Sequence, residues 1–352
     1  MLAWLLSGEK FRSRVLGLLI LAVLLGLVFT PFIFSGTRAT AVAARIAVFI
    51  VLVASYDLLL GYTGIVSFAH AVFFGMGAYG LAIALKQMGP GWPAVFIGSV
   101  AGIACAVAIS FVVGLLSLRV RDIFFAMITL AVASFFLILA SQLNTITGGE
   151  DGLTFRVPEL LSPAFRLFEG RVLGVTFDGK LITYYAILAV GLVLFLVLLR
   201  VVNSPFGRVL QAIRENDFRA EALGYRVVIY RSLASCISAG VAAASGVLMA
   251  LWLRYAGPDA VLSFDIMIDV LLMLVIGGMG SMYGSVLGAV VLVMAQSYLQ
   301  DVMKIASDAT TSVPLLSAAL HPDRWLLWLG VGFVLSVYLF PNGIVGTLRR
   351  GR

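Results

Sequence analysis

Apolar runs long enough to cross a bilayer follow one another along this chain, and they leave room for little else. A hydrocarbon layer ~30 Å thick is crossed by about 20 helical residues. Segments 15–33, 40–60, 63–85, 92–118, 123–141, 181–199 and 232–253 meet that length with few or no charges. The first is too long for the apolar core of a signal peptide and is expected to be a full span. Segment 266–300 is too long for one crossing and is broken by Gly277, Gly278, Gly280 and Gly284, which predicts two spans joined by a turn. Segment 325–345 closes the count at ten. The expected fold is an all-α polytopic bundle in one transmembrane domain, 1–352. Spans 1–5 fall in 15–141, an external loop in 142–182, span 6 in 183–201, a cytoplasmic segment in 202–230, spans 7–9 in 231–302 and span 10 in 326–345.

Composition excludes a soluble globular protein. Of 352 residues 62% are hydrophobic and 12% charged, against about half and about a quarter in soluble domains. Cys105 and Cys236 lie inside apolar runs, where packing is expected rather than a disulfide or a metal site. The formal charge of +7 follows from topology rather than nucleic-acid binding. With the N-terminus inside, Lys10, Arg12, Arg14, Arg119, Arg121, Arg200, Arg208, Arg214, Arg219, Arg226, Arg231, Arg349, Arg350 and Arg352 all fall on the cytoplasmic side.

Two polar segments stand out. The external loop opens on Thr147-Gly148-Gly149-Glu150-Asp151-Gly152, dense in turn-forming residues. Its glycines either expose backbone amides to a carboxylate or form an ordinary turn. The cytoplasmic segment has its own helical signals. Ser204 can cap, Pro205 suits the first helical position, and Phe206, Val209, Leu210 and Ile213 share a face. Asn216 or Asp217 restarts a short helix that Gly224 can end. A short amphipathic helix pair suits docking in a groove of a soluble partner, or lying on the membrane surface.

Within the spans few groups could act chemically. Gly61, Gly64, Gly75, Gly77 and Gly80 crowd one apolar segment, which either packs closely against other helices or unwinds to offer backbone groups to a substrate. The break around Gly277 and Gly278 is a second interruption, and paired interruptions point to a translocation path. His70 is expected in a span with Ser67 one turn before it, either tying two helices together or bonding a passing substrate. Arg45 and Asp57 are too far apart along one helix to pair. Arg45 is expected to snorkel outward, and Asp57 to face the pathway or the inner boundary. Asp265 suits a helix start, and Asp269 could line a polar route. No nucleophile, base and orienter occur at a spacing suited to an enzyme, and no metal or other cofactor is expected.

The order of residues in the cytoplasmic segment resembles the coupling segment of ABC importer permeases, through Glu221-Ala222 followed by Gly224. The stretch from Ser204 to Gly224 looks like that of the branched-chain amino acid permease family. Leu58-Leu59-Leu60-Gly61-Tyr62-Thr63-Gly64 with Ser67-Phe68-Ala69-His70-Ala71, Phe74-Gly75-Met76-Gly77-Ala78-Tyr79, Thr147-Gly148-Gly149 with Asp151-Gly152-Leu153, and Gly277-Gly278-Met279-Gly280-Ser281 agree in order, over roughly 45–346. The resemblance implies a permease in the bacterial inner membrane, both termini cytoplasmic. It implies a heterodimer with a second permease subunit, two P-loop ATPases and a periplasmic substrate-binding protein. Branched-chain or other hydrophobic amino acids are the implied cargo, with urea, amides or small carboxylates as the alternative. Arg214, Glu215, Glu221 and Gly224 are the expected coupling residues. Gly61, Gly64, Ser67, His70, Thr147, Gly148, Gly149, Asp151, Gly277 and Gly278 are the expected pathway residues. The sequence has no G-x-x-x-x-G-K-[ST] of its own, so energy must come from a partner or an ion gradient. In the second case Asp57, His70 and Asp269 would be the coupled groups.

Overall fold

A computed structural model describes residues 14–34, 36–117, 122–172, 175–309 and 320–350. Lys10, Arg12, Arg119, Arg121 and Arg352 lie outside these. Ten of the described helical segments are long and apolar enough to cross a membrane. The spans are built on α1 (Arg14–Ile33), α2 (Thr37–Thr63), α3 (His70–Met88), α4 (Trp92–Ser117), α5 (Asp122–Gln142), α6 (Gly179–Val202), α9 (Val227–Leu253), α10 (Phe264–Gly277), α11 (Met282–Ala309) and α12 (Trp325–Leu339). Further helices are α7 (Pro205–Glu215) and α8 (Asp217–Ala222), outside the membrane-spanning set, and α13 (Gly343–Arg350), into which the tenth candidate span, Pro322–Leu348, continues.

The bundle is organised around α2. At ~1.5 Å per residue its length is about 40 Å, more than a hydrocarbon layer. It is buried from Ala43 to Thr63 save for Arg45 and Leu60, which are half-covered. Alanines at positions 43, 44, 47 and 54 let α1, α6, α9, α10 and α11 close around it. With lipid as apolar as leucine, such association rests on close packing and interhelical hydrogen bonds. Both are present. A Cβ on Gly77 would sit 1.8 Å from Ala243 O, and one on Gly246 would sit 1.8 Å from Phe74 O, so α3 and α9 cross at glycine on each side. Tyr184 and Tyr185 of α6 donate to the carbonyls of Leu27 and Val28 in α1. The Ser110 and Ser235 hydroxyls join α4 to α9 at 2.8 Å. By contrast α1, α4, α5 and α12 present rows of exposed apolar side chains, among them Leu18, Phe96, Met127 and Leu326, as expected of surfaces that meet lipid or other apolar chains.

The expected turn between spans 8 and 9 lies between α10 and α11, within the glycine-rich stretch. The third span begins later than its composition suggests: α2 runs on through Gly61 and Tyr62 to Thr63, and residues 64–69 are not helical. A small extended component was not foreseen. Strand β1 (Leu153–Thr154) pairs antiparallel with β4 (Tyr255–Ala256), while β2 (Arg166–Val172) and β3 (Val175–Asp178) form a second antiparallel pair in the long loop. The first pairing ties the long loop to the end of α9, with Phe155 N donating to Arg254 O at 3.3 Å.

Candidate functional site

One end of the bundle carries a projecting helix pair. Ser204 Oγ accepts from Gly207 N at 3.4 Å and Pro205 occupies the first turn, so α7 starts as its sequence predicts. Leu210 and Ile213 are buried beneath it. Asn216 Oδ1 accepts from Arg219 N at 2.9 Å and starts α8. Gly224, at φ 91°, ends it, its N–H reaching Glu221 O at 2.8 Å. Ala220, Ile213 and Val227 form a small core under the pair, and Asp217 reaches Arg231 of α9 at 3.9 Å. With Ala220 turned inward, Phe218 and Leu223 face outward at 83% and 77% exposure. Both stand beyond the apolar runs that form the spans, where large apolar exposure marks a contact surface. Glu215 and Glu221 are exposed beside them. The two apolar residues were missed from sequence, although each stands inside the Asp217-to-Gly224 stretch as an apolar residue among charges.

Arg214 departs from its neighbours. Its Nη1 turns back toward the bundle and donates to Gly61 O near the end of α2. Gly61 and Gly280 approach so closely that a Cβ on Gly61 would lie 1.9 Å from Asp57 Oδ1 and 2.5 Å from Gly280 N. Asp57 Oδ1 in turn accepts from Gly280 N at 2.8 Å. Gly64 caps α2 at φ 75°, a left-handed conformation that glycine adopts freely. Gly278 and Gly280 in the α10–α11 turn have φ of 113° and 79°. The first packs on the backbone before α13, 2.9 Å separating its hypothetical Cβ from Asn342 O. Gly277, last in α10, meets Gly284 of α11 more closely still, 1.9 Å separating its hypothetical Cβ from Gly284 O. Thus Gly61, Gly64, Gly277 and Gly278 lie at one end of the bundle rather than midway along spans.

Ser67 is buried in the segment between α2 and α3, where it accepts from Ala69 N at 3.4 Å, so it does not share a helix with His70. His70 is fully buried at the start of α3. Its Nε2 lies 2.8 Å from Ser55 Oγ in α2, and Ser238 Oγ of α9 donates to Ser55 O at 2.5 Å. A three-helix tie results. Arg45 does not snorkel. Its guanidinium reaches across to α11 and α10, 3.2 Å from Gln296 Oε1 and 3.8 Å from Asp269 Oδ2, because Gln296 Nε2 holds Asp269 in place at 2.7 Å. Ion pairing between helices outweighs reaching for water here. Asp265 lies in the first turn of α10, as expected.

The opposite end gathers the other glycine-rich motif. Thr147 Oγ1 lies 2.6 Å from Ala140 O and 2.7 Å from Leu143 O, and accepts from Gly149 N at 3.3 Å. Gly148, Gly149 and Gly152 have φ of 77°, 63° and 68°. Gly152 N donates to Gly149 O at 3.3 Å, so two of the amides expected to face a carboxylate are already engaged. Asp151 is exposed, and its carbonyl accepts from Tyr255 OH at 3.0 Å. Nearby, burial pulls the Arg254 guanidinium below its usual range while the charge of Asp178 opposes this.

Residues 38–320 match the family model described as the permease component of the branched-chain amino acid transport system. The high-affinity branched-chain amino acid transport system permease protein LivM of Salmonella typhimurium is 30% identical over 310 residues, covering 84% of this chain and 71% of that protein. The Escherichia coli K12 protein of the same name is 30% identical over 84% of this chain and 70% of its own length. A probable branched-chain amino acid transport permease LivM of Methanocaldococcus jannaschii is 26% identical over 72% of this chain and 70% of its own. No solved structure matches.

Proposed function

The chain belongs to the branched-chain amino acid transport permease family, and on that premise we propose that it is the permease subunit of an ABC importer for branched-chain or other hydrophobic amino acids, powered by partner ATPases. The observation that carries this reading is the α7–α8 pair, seated through buried Leu210, Ile213 and Ala220 while Phe218 and Leu223 stand in the open. Buried apolar anchors with a charged rim are how helices dock into grooves of soluble partners. Here the anchors are Phe218 and Leu223 and the rim is Glu215 and Glu221, with Gly224 fixing where α8 stops. Two P-loop ATPases engage this end and its counterpart on a second permease subunit. A periplasmic binding protein delivers cargo at the opposite end. That orientation puts both termini in the cytoplasm and the bundle in the inner membrane.

Cargo then moves past the α2–α3 and α10–α11 breaks, with Gly61, Gly64, Ser67 and His70 on one side and Gly277 and Gly278 on the other. Thr147, Gly148, Gly149 and Asp151 shape the entrance. Ion-coupled transport is the weaker reading, because Asp57, His70 and Asp269 each have a structural partner in Gly280, Ser55 and Gln296.

Mild extraction of the tagged chain from native membranes tests the reading. A second permease and P-loop ATPases should stay bound, and Phe218→Asp with Leu223→Asp should release the ATPases while the chain stays inserted. Recovery of the chain alone, under conditions that keep known ABC complexes whole, would move the ion-coupled reading ahead.

A further inference from the structure

Chain connectivity joins the α7–α8 segment to α6 and α9 alone. Force applied to the segment therefore reaches those two spans directly and the others only through packing. α7 does pack on α2, α6 and α9, but apolar contacts let one surface slide over another.

Arg214 supplies a fixed link. Gly61 O is among the last four carbonyls of α2, which lack partners within the helix and carry the negative end of its dipole. The guanidinium donates to it. The stem runs along the cap of α2, 3.3 Å separating Arg214 Cγ from a Cβ placed on Gly64, and Arg214 Nη1 lies 2.9 Å from one placed on Gly280. Three glycines from two breaks thus open the space in which this one side chain lies. Asp57 closes the other side by accepting from Gly280 N at 2.8 Å. The arginine, the end of α2 and the α10–α11 turn are fastened by two hydrogen bonds to charged groups, stronger than neutral ones.

We propose that Arg214 is a positioning residue that transmits movement of the α7–α8 segment to α2 and to the α10–α11 turn, elements the segment does not reach through the chain. The inference rests on the ATP-driven reading above. It assigns Arg214 to the inside of the coupling machinery rather than to the ATPase contact.

The test reconstitutes the complete transporter with Arg214→Ala and with Arg214→Lys. ATPase recovery and uptake per ATP hydrolysed are measured in parallel. Arg214→Ala should recover ATPases at the wild-type level while uptake per ATP falls at least tenfold. Arg214→Lys keeps a donor for Gly61 O and should restore at least a third of the coupling, which a general loss of stability would not do. A spin-label pair at Gln211→Cys and Met279→Cys reads the link itself. In the wild type the two labels should keep their separation when ATP binds, and with Arg214→Ala the separation should change. Loss of ATPase recovery with Arg214→Ala, as deep as with Phe218→Asp, would make Arg214 a docking contact and overturn the proposal. Unchanged uptake per ATP, or a label separation indifferent to Arg214, would overturn it as well. Failure of the wild type to hold ATPases is a different result, and it removes the ATP-driven reading together with this inference.

Discussion

Both ends of the bundle carry glycine-rich motifs, and they are built in opposite ways. At the end bearing Thr147 to Gly152 the glycines hydrogen-bond to their own neighbours, Gly149 N to Thr147 and Gly152 N to Gly149, although Gly152 also lies against Ala256 and Gly257 where the β1–β4 pair fastens the turn to the end of α9. At the end bearing α7, glycines from separate elements meet one another, Gly61 against Gly280 and Gly278 against Gly343. Charged side chains, Asp57 and Arg214, then connect what the chain does not. A turn satisfied by local bonds keeps its shape alone. A junction of several elements holds only while its cross-links hold, which suits the end proposed to move with the ATPases. Glycine content alone does not separate the two designs; the partner of each backbone group does.

The contrast breaks most visibly at Asp57. Removing its carboxylate in Asp57→Ala leaves Gly280 N–H without its acceptor, a loss of ~1.5–3 kcal/mol for a bond to a charged group. Uptake by reconstituted transporter should fall at least tenfold. Asp57→Asn keeps an acceptor oxygen and should lie within about fivefold of wild type, since a bond to a neutral acceptor is weaker by only about 1 kcal/mol. At the opposite end Gly148→Ala should act on stability instead. Its φ of 77° and the 2.1 Å between a Cβ and Gly152 O strain the turn. At ~1–3 kcal/mol for a strained backbone position, the thermal midpoint of the purified chain should drop by several degrees. Thr147→Val removes the hydroxyl that Gly149 N and two carbonyls use, worth ~1 kcal/mol. Thermal unfolding should show a smaller drop, and Thr147→Ser should reverse it. The smallest effect belongs to Glu215→Gln with Glu221→Gln. Both are exposed, so the pair should change ATPase affinity by less than ~1 kcal/mol and be read as an altered salt dependence of association.

Much of this was legible in the sequence because span length, capping and glycine breaks are local properties. Ser204-Pro205 started α7, Asn216 started α8 and Gly224 stopped it, each for reasons contained within a few residues. The glycines from Gly277 to Gly284 announced the break between α10 and α11. What sequence could not reach was set by partners distant along the chain. Tyr62 and Thr63 are as compatible with the start of a span as with the end of one, so where α2 stops depends on Gly64 and on the Gly280 turn lying against it. Arg45 turns inward because Gln296 and Asp269 are there to receive it. Whether Phe218 or Ala220 faces the bundle depends on the seat offered by Ile213 and Val227. The β1–β4 pairing joins residues about a hundred positions apart, and nothing in either dipeptide specifies the other.

The central claim is that the two ends serve two different partners, and one crosslinking experiment addresses it directly. A photoreactive residue is placed at Phe218 in one variant and at Leu160, exposed in the loop of the opposite end, in another. Both are irradiated in living cells, and the adducts are identified by mass spectrometry. The account predicts a P-loop ATPase at 218 and a periplasmic protein at 160, with no exchange between them. An ATPase captured at 160, or lipid alone captured at 218 in actively transporting cells, would contradict it.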